Sequence, residues 1–292
     1  MKPRILNFGS LNIDHVYSVD HFVRPGETLS STKYAQFAGG KGNNQSIALA
    51  GAGADVYHGG KLGRDGLWLK ERLDARGVNT SLIEVIEGVS GHAVIQVTPD
   101  GENAIVLHGG ANRRITEDDA EKILSGFSEG DYLLLQNEIS AIPAIIKLGA
   151  ERKMKIVFNP APMTEETSAY PLELVDCFIL NRIEGSQLIG SEDPEEILSG
   201  MTQRYDRAST VLTLGAEGAM YADRNGVVKM PGQKVSAVDT TGAGDTFVGY
   251  FTAGLMDGSD LKAALDLACR AAALCVRRPG AADSIPSLEE IK

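Results

Sequence analysis

The chain has 292 residues, 43% apolar and 23% charged, a profile that excludes a disordered tail or a fibrous repeat. Lys and Arg number 28 against 39 Asp and Glu, and the net charge of −11 sets nucleic-acid and membrane-surface roles aside, because it repels phosphate backbones and anionic lipid. Three cysteines, Cys177, Cys269 and Cys275, are too sparse and odd a set for a disulfide framework and fit reduced thiols in a cytoplasmic protein.

The start is basic and then briefly apolar, too short for a signal segment, and no run reaches the roughly 18 residues of a membrane span. Residues 5–9 read as the first strand. Residues 14–36 contain a β-like piece around 16–19. Residues 43–50 and 66–75 carry helical patterns, separated by an apolar run at 56–60. Residues 81–108 contain strand-like pieces at 83–85, 92–98 and 103–108, the last two joined by the turn Pro99-Asp100-Gly101-Glu102. Helices are then predicted at 117–124, 142–151 and 194–205. The short apolar runs 132–136, 156–158, 177–180 and 211–214 lie among them. Two Ala- and Gly-rich helices, 242–256 and 261–276, close the chain.

Short buried runs alternating with helices predict an α/β fold with helices on both faces of a mostly parallel sheet, in a single domain spanning 1–292. The segments 14–36 and 81–108 break the alternation. They predict a small antiparallel sheet that projects as a lid and whose exposed side pairs with a second subunit.

The stretch Val238-Asp239-Thr240-Thr241-Gly242-Ala243-Gly244-Asp245-Thr246-Phe247 carries the most chemistry. A Gly-x-Gly turn opening a helix exposes backbone N–H groups at the positive end of the helix dipole, an anion site for a phosphoryl group. Asp245, in the first turn, is placed to accept a proton from a hydroxyl; a tight turn with an acidic cap has the same spelling. Ala38-Gly39-Gly40-Lys41-Gly42-Asn43-Asn44-Gln45 combines close backbone approach with amide donors and acceptors, which suits a polyhydroxylated ligand, or a flexible loop before a helix. It is not a Gly-x4-Gly-Lys-Ser/Thr loop. Asn12 and Asp14 lie where the first strand ends, the position at which open α/β sheets bind ligands. Asn181 and Glu184 spell either a carboxylate site for hydrated Mg²⁺ or a helix capping box. Gly51-Ala52-Gly53-Ala54 reads as a helix end, because it follows a helix rather than a strand.

These four motifs, in this order and spacing, resemble the ribokinase-like (PfkB) family of carbohydrate kinases over essentially the whole chain. Gly101-Glu102-Asn103 and Asn159-Pro160-Ala161-Pro162 strengthen the likeness. The resemblance implies a three-layer fold with a β-sheet lid and ATP-dependent transfer of the γ-phosphoryl group to a primary hydroxyl, with D-ribose expected and another sugar or a nucleoside as the alternative acceptor. A non-catalytic sugar sensor is the rival from another class. By the same resemblance, Asp245 is the catalytic base and Gly242, Ala243 and Gly244 form the anion hole. Asn12, Asp14, Gly40, Lys41, Asn44 and Glu138 bind sugar. Asn181, Thr213, Gly215, Gly218, Gly244 and Cys269 contact ATP. Glu184 organises Mg²⁺ through water. Asp239, Thr241, Cys275, Arg278, Gly280 and Ser284 hold K⁺, mostly through backbone oxygens. The resemblance also implies a homodimer formed through the lid sheets. Asn43 stands where the family has a small residue, and Cys269 where a His or Asn is usual.

Overall fold

Ile5 and Leu6 open a run that alternates between two hydrophobic cores, and this alternation sets the architecture. The computed structural model describes residues 3–291; Met1 and Lys2, the basic start read in the sequence, lie outside the described residues. In chain order the elements are β1 (Ile5–Phe8), β2 (Asn12–Ser18), β3 (Lys33–Gly39), α1 (Lys41–Gly51), β4 (Val56–Gly63), α2 (Leu67–Ala75), β5 (Asn79–Ile86), β6 (Gly91–Val97) and β7 (Asn103–His108). There follow α3 (Glu117–Leu124), β8 (Tyr132–Gln136), α4 (Ile142–Glu151), β9 (Lys155–Asn159), β10 (Cys177–Asn181), α5 (Arg182–Ile189), α6 (Pro194–Arg204) and β11 (Ser209–Thr213). The chain ends with β12 (Gly218–Asp223), β13 (Gly226–Pro231), α7 (Ala243–Met256), α8 (Leu261–Cys275) and α9 (Leu288–Ile291).

The large sheet runs β13-β12-β11-β10-β9-β8-β1-β4-β5. It is parallel from β11 to β5, with β12 and β13 added antiparallel. Ile5 joins a core with Ile47, Leu69, Phe247 and Leu265, from α1, α2, α7 and α8. Leu6 and Phe8 join the opposite core with Leu124, Ile145 and Leu198, from α3, α4 and α6. The result is three layers, helix–sheet–helix. Each buried aliphatic side chain contributes about 1.5–3 kcal/mol relative to exposure. Among the described residues, no helix is long and apolar enough to cross a membrane.

From β1 the chain proceeds through β4 and β5 to one edge, and from β8 through β9, β10 and β11 toward the other. The strand order therefore reverses between β1 and β8, and a crevice opens there at the carboxyl ends. β2 starts four residues after the carboxyl end of β1, so the small sheet, β3-β2-β6-β7, rises from that end. Its β6–β7 turn is closed by Gly101 N–H to Thr98 O at 2.9 Å, with Gly101 at φ 83°.

The small sheet is mixed rather than antiparallel, because its central strands β2 and β6 come from separate segments and pair in parallel, and one expected piece of it lies elsewhere. Residues 83–85 belong to β5, at the edge of the large sheet, where Ile83 pairs with Gly60 in parallel register. Thr80 and Ile83 turn inward against the core, so burial outweighs the local hairpin pattern. The hairpin β12–β13 has no counterpart among the predicted elements.

Candidate active site

The crevice begins with the loop after β1. Asn12 is buried, and its Oδ1 accepts from Asn112 Nδ2 at 2.8 Å. Asp14 follows on the same face of β2, in space left by Gly39 on the neighbouring strand, where a Cβ would collide with its carboxylate. Burial, reinforced by the charge of Glu138, raises the Asp14 carboxyl to about 7.

Helix α1 starts beneath these groups. Its N-cap is Gly40, at φ 90°, which provides no side-chain cap. Glu138, just after β8, substitutes: its Oε2 accepts from Lys41 N at 2.9 Å and from the Ser10 hydroxyl. A carboxylate at this helix start is favoured by the dipole. Gly42 rests directly on Gly9 and Ser10, so a side chain there would push α1 off the β1 loop.

Asn44 and Gln45 then point from α1 to α7. Asn44 Nδ2 donates to Asp245 Oδ2 and Gln45 Nε2 to Asp245 Oδ1, both at 2.9 Å. Asn43 is fully buried and turned along the helix, its Nδ2 donating to Asn44 Oδ1 at 3.2 Å. The Asn43 amide, at the position where the family has a small residue, is thus turned toward Asn44.

Helix α7 opens at Gly242, whose φ of 79° is the left-handed conformation a glycine adopts freely. Ala243 N–H closes a turn onto Thr240 O at 3.3 Å, and Thr246 N–H returns to Gly242 O at 2.8 Å. Among the described residues, the amides of Gly244 and Asp245 are therefore left without an acceptor in this first turn, as is that of Gly242 before it. Gly244 faces open space, with nothing within 4 Å of the position its Cβ would take.

A cavity of about 150 Å³ lies in front of them, lined by Lys41, Asn181, Glu184, Gly242, Gly244 and Asp245 among others. Asp245, and next Glu138 and Glu184, raise the Lys41 ammonium above its usual value, so it stays charged. Asn181 and Glu184 form the capping box: Glu184 N–H donates to Asn181 Oδ1 at 2.8 Å and Asn181 N–H to Glu184 Oε2 at 2.9 Å. Asn181 Nδ2 also reaches Glu184 Oε1 at 2.8 Å. Both carboxylate oxygens are thus occupied, and burial raises the Glu184 carboxyl.

A second cavity, of about 570 Å³, shares Asn181, Thr213 and Gly244 with the first. Gly215, Gly218 and Cys269 line it too, with Val235, Phe247 and Val276 as apolar walls. The left-handed Gly218, at φ 105°, allows β12 to turn tightly over this pocket, where a Cβ would collide with Met230 O. Burial pushes the Cys269 thiol up to about 11, so it serves as wall rather than nucleophile.

The residues expected to hold a cation also come together. Asp239 accepts Thr241 N–H and Gly280 N–H, each at 2.9 Å, clamping two loops to one another. Cys275 Sγ and Ser284 Oγ lie 3.0 Å apart, and the Arg278 side chain turns away to Glu290 at 2.6 Å. Among the described residues, no group of three or more His, Cys, Asp or Glu is arranged to hold a metal ion.

Ser10, Asn112, Gln136 and Asn159 were not singled out as site residues from sequence. The available signal was polarity inside otherwise apolar strands and their ends, as at Gln136 and Asn159.

Residues 2–288 match the pfkB family carbohydrate kinases, and the chain belongs to this family. It is 34% identical over 299 residues to a ribokinase of Haemophilus influenzae, covering 99% of this chain and 97% of that one. A ribokinase of Staphylococcus aureus is likewise 34% identical, over 100% of this chain and 99% of its own. Among solved structures, a ribokinase from Cryptococcus neoformans in complex with ADP superposes with a TM-score of 0.88 at 36% identity, covering 99% of this chain and 98% of that one. A ribokinase of Arabidopsis thaliana complexed with ribose and ATP gives 0.89 at 29%, covering 100% and 98%.

Proposed function

We propose that this chain is a cytoplasmic ATP-dependent kinase that transfers the γ-phosphoryl group of ATP to the primary hydroxyl of D-ribose. The observation that carries this reading is the position of Asp245. Its carboxylate, fixed by two amides, lies at the start of α7 and lines the small cavity, which adjoins a pocket of nucleotide size. Asn12, Asp14 and Glu138 supply the polar groups that recognise a sugar.

In this mechanism Asp245 accepts the proton as the hydroxyl oxygen attacks phosphorus. The bond to the β-phosphate oxygen breaks, and ADP leaves with the electron pair. The Gly244 and Asp245 amides and the Lys41 ammonium face the charge that develops on the migrating group. Gly242 and Ala243 shape the turn. The apolar pocket with Thr213, Gly215, Gly218 and Cys269 receives the base of ATP. Glu184, with both oxygens held by Asn181, fits a Mg²⁺ ion reached through water rather than bound directly, and such an ion supplies positive charge to the phosphates. The backbone oxygens around Asp239, Thr241, Cys275, Arg278, Gly280 and Ser284 fit K⁺, which adds positive field beside the helix start. We further propose that the small sheet closes over the sugar and pairs with a second copy of the chain.

The test is a coupled ADP-release assay over D-ribose, 2-deoxyribose, fructose, 2-keto-3-deoxygluconate and adenosine, with and without K⁺. Ribose is expected to give the highest kcat/KM, with K⁺ raising it. Negligible turnover of ribose beside rapid turnover of another acceptor would overturn the assignment. Sugar and ATP binding with no ADP formed would favour a sensor.

A further inference from the structure

The Asp245 carboxylate is the end of a buried polar chain that crosses the large sheet. Asn7 lies in β1, His58 in β4, Gln136 at the end of β8, and Gln45 and Ser46 on α1; each is at most 1% exposed. Gln136 Nε2 donates to Asn7 Oδ1 at 2.8 Å and to Gln45 Oε1 at 2.7 Å. Asn7 Nδ2 donates to Gly42 O and to Ser46 Oγ, both at 2.7 Å. The Ser46 hydroxyl meets His58 Nδ1 at 2.8 Å, and His58 Nε2 meets the Gly9 carbonyl at 3.2 Å. A carbonyl can only accept, so Nε2 carries the ring proton and Nδ1 accepts from Ser46. Burial holds His58 down at about 4, so the ring is neutral.

This pattern fixes the direction of every amide. Turning Gln136 over would set its oxygen against two other oxygens. It keeps its present orientation although its Oε1 then has no partner among the described residues. With Gln45 Oε1 held by Gln136, only the Gln45 NH₂ faces α7. It donates to Asp245 Oδ1 at 2.9 Å and to Asn159 Oδ1 at 3.0 Å. A flipped Gln45 would present its oxygen to a carboxylate and its NH₂ to another NH₂. The terminal torsion of a carboxylate is otherwise soft and broad.

We propose that Gln45 is a positioning residue for phosphoryl transfer: oriented from behind by Gln136, it fixes the rotation of the Asp245 carboxylate, so that a lone pair not used by Asn44 or Gln45 meets the sugar hydroxyl. This rests on the reading of Asp245 as proton acceptor. Gln45 is fully buried and does not line the small cavity, so it contributes little to substrate binding. Its loss therefore falls on kcat, because misalignment of reacting groups costs rate rather than affinity.

The experiment compares Gln45→Met, Gln136→Met, the double variant and Asp245→Asn. It measures kcat, KM for ribose and ATP, and melting temperature. Gln45→Met is expected to lower kcat about 10- to 100-fold, with both KM values within about twofold. Gln136→Met touches neither Asp245 nor the small cavity, yet should lower kcat about fivefold or more by freeing Gln45 to flip. The double variant should be no worse than Gln45→Met, the signature of one coupled chain.

A folded Gln45→Met with kcat within twofold of wild type overturns the proposal. So does an unchanged kcat in Gln136→Met, which decides the matter if Gln45→Met does not fold. A loss of kcat that merely tracks a lowered melting temperature, with KM changing in step, also overturns it. Full activity in Asp245→Asn instead removes the proton-acceptor reading itself, whereas an inactive Asp245→Asn beside a normal Gln45→Met removes only the positioning role.

Discussion

Asp245 and Asp14 are both carboxylates in one crevice, yet their surroundings fit them for different work. Asp245 accepts two amide N–H groups and stands near the Lys41 ammonium. Asp245→Asn keeps the shape and removes the proposed proton acceptor. It should lower kcat by about 10²- to 10⁴-fold, with KM values nearly unchanged, in steady-state kinetics. Among the described residues no hydrogen-bond donor reaches the Asp14 carboxylate, and burial raises it to about 7 from 3.8. The folded state therefore binds this proton more tightly than the unfolded chain does. Ionised Asp14 costs stability above pH 7, and that cost fades as pH falls through 7 toward 4. Asp14→Asn should consequently stabilise the ligand-free protein at pH 8, by about 1–2 kcal/mol after allowing for partial exposure, and have little effect at pH 4. The same substitution should raise KM for ribose about tenfold, because the charged acceptor proposed for the sugar hydroxyls is lost. Thermal melts at the two pH values, beside KM, decide this. No stabilisation at pH 8 would mean that Asp14 is not held at a cost.

At the scale of elements, the decisive contact is α1 against α7. Gly249 on α7 sits directly on Ala48, and a Cβ there would collide with that side chain and approach Leu49 N within 2.9 Å. This closeness lets Asn44 and Gln45 span to Asp245. Gly249→Ala should force the helices apart, cost about 1–3 kcal/mol and lower kcat together with the melting temperature. An unchanged kcat would show that the amide contacts tolerate the shift. Much of this frame was legible in the chain. The apolar runs that became β1, β8 and β10 are short and bounded by turns, and Gly242 to Asp245 combine glycines and an acid at the start of a helix. The misplacement of residues 83–85 has a physical cause: whether such a piece joins the large or the small sheet depends on the side it buries, which is a tertiary fact. The hairpin β12–β13 mixes polar and apolar residues and lacks a strong period, so its pattern stays weak. Asn7, Gln136 and His58 were invisible as a unit because their pairing exists only once β1, β4, β8 and α1 are assembled.

For the whole molecule, the small sheet is the part that does not complete its own core. On its edge strand β7, Ile105, Val106 and Leu107 are 57%, 68% and 52% exposed, and since successive residues face opposite sides, both faces of the edge are apolar. Opposite them, Phe37 and Tyr34 on β3 are exposed as well. A second copy of the sheet would cover one face and leave the other to close over the sugar. Each side chain so covered contributes about 1–2 kcal/mol. Wild type should therefore run as a dimer in light scattering at micromolar concentration, and Val106→Asp as a monomer. The larger cavity, proposed for the nucleotide, is built from the end of β10, β11, β12, the turn after β13, α7 and α8, none of which belongs to the small sheet. The monomer should accordingly keep its KM for ATP while its KM for ribose rises several-fold, because the sheet that contributes Asn12 and Asp14 has lost its support. A monomeric wild type with normal ribose affinity would show that the exposed strand has another use. A Val106→Asp dimer would place the contact elsewhere.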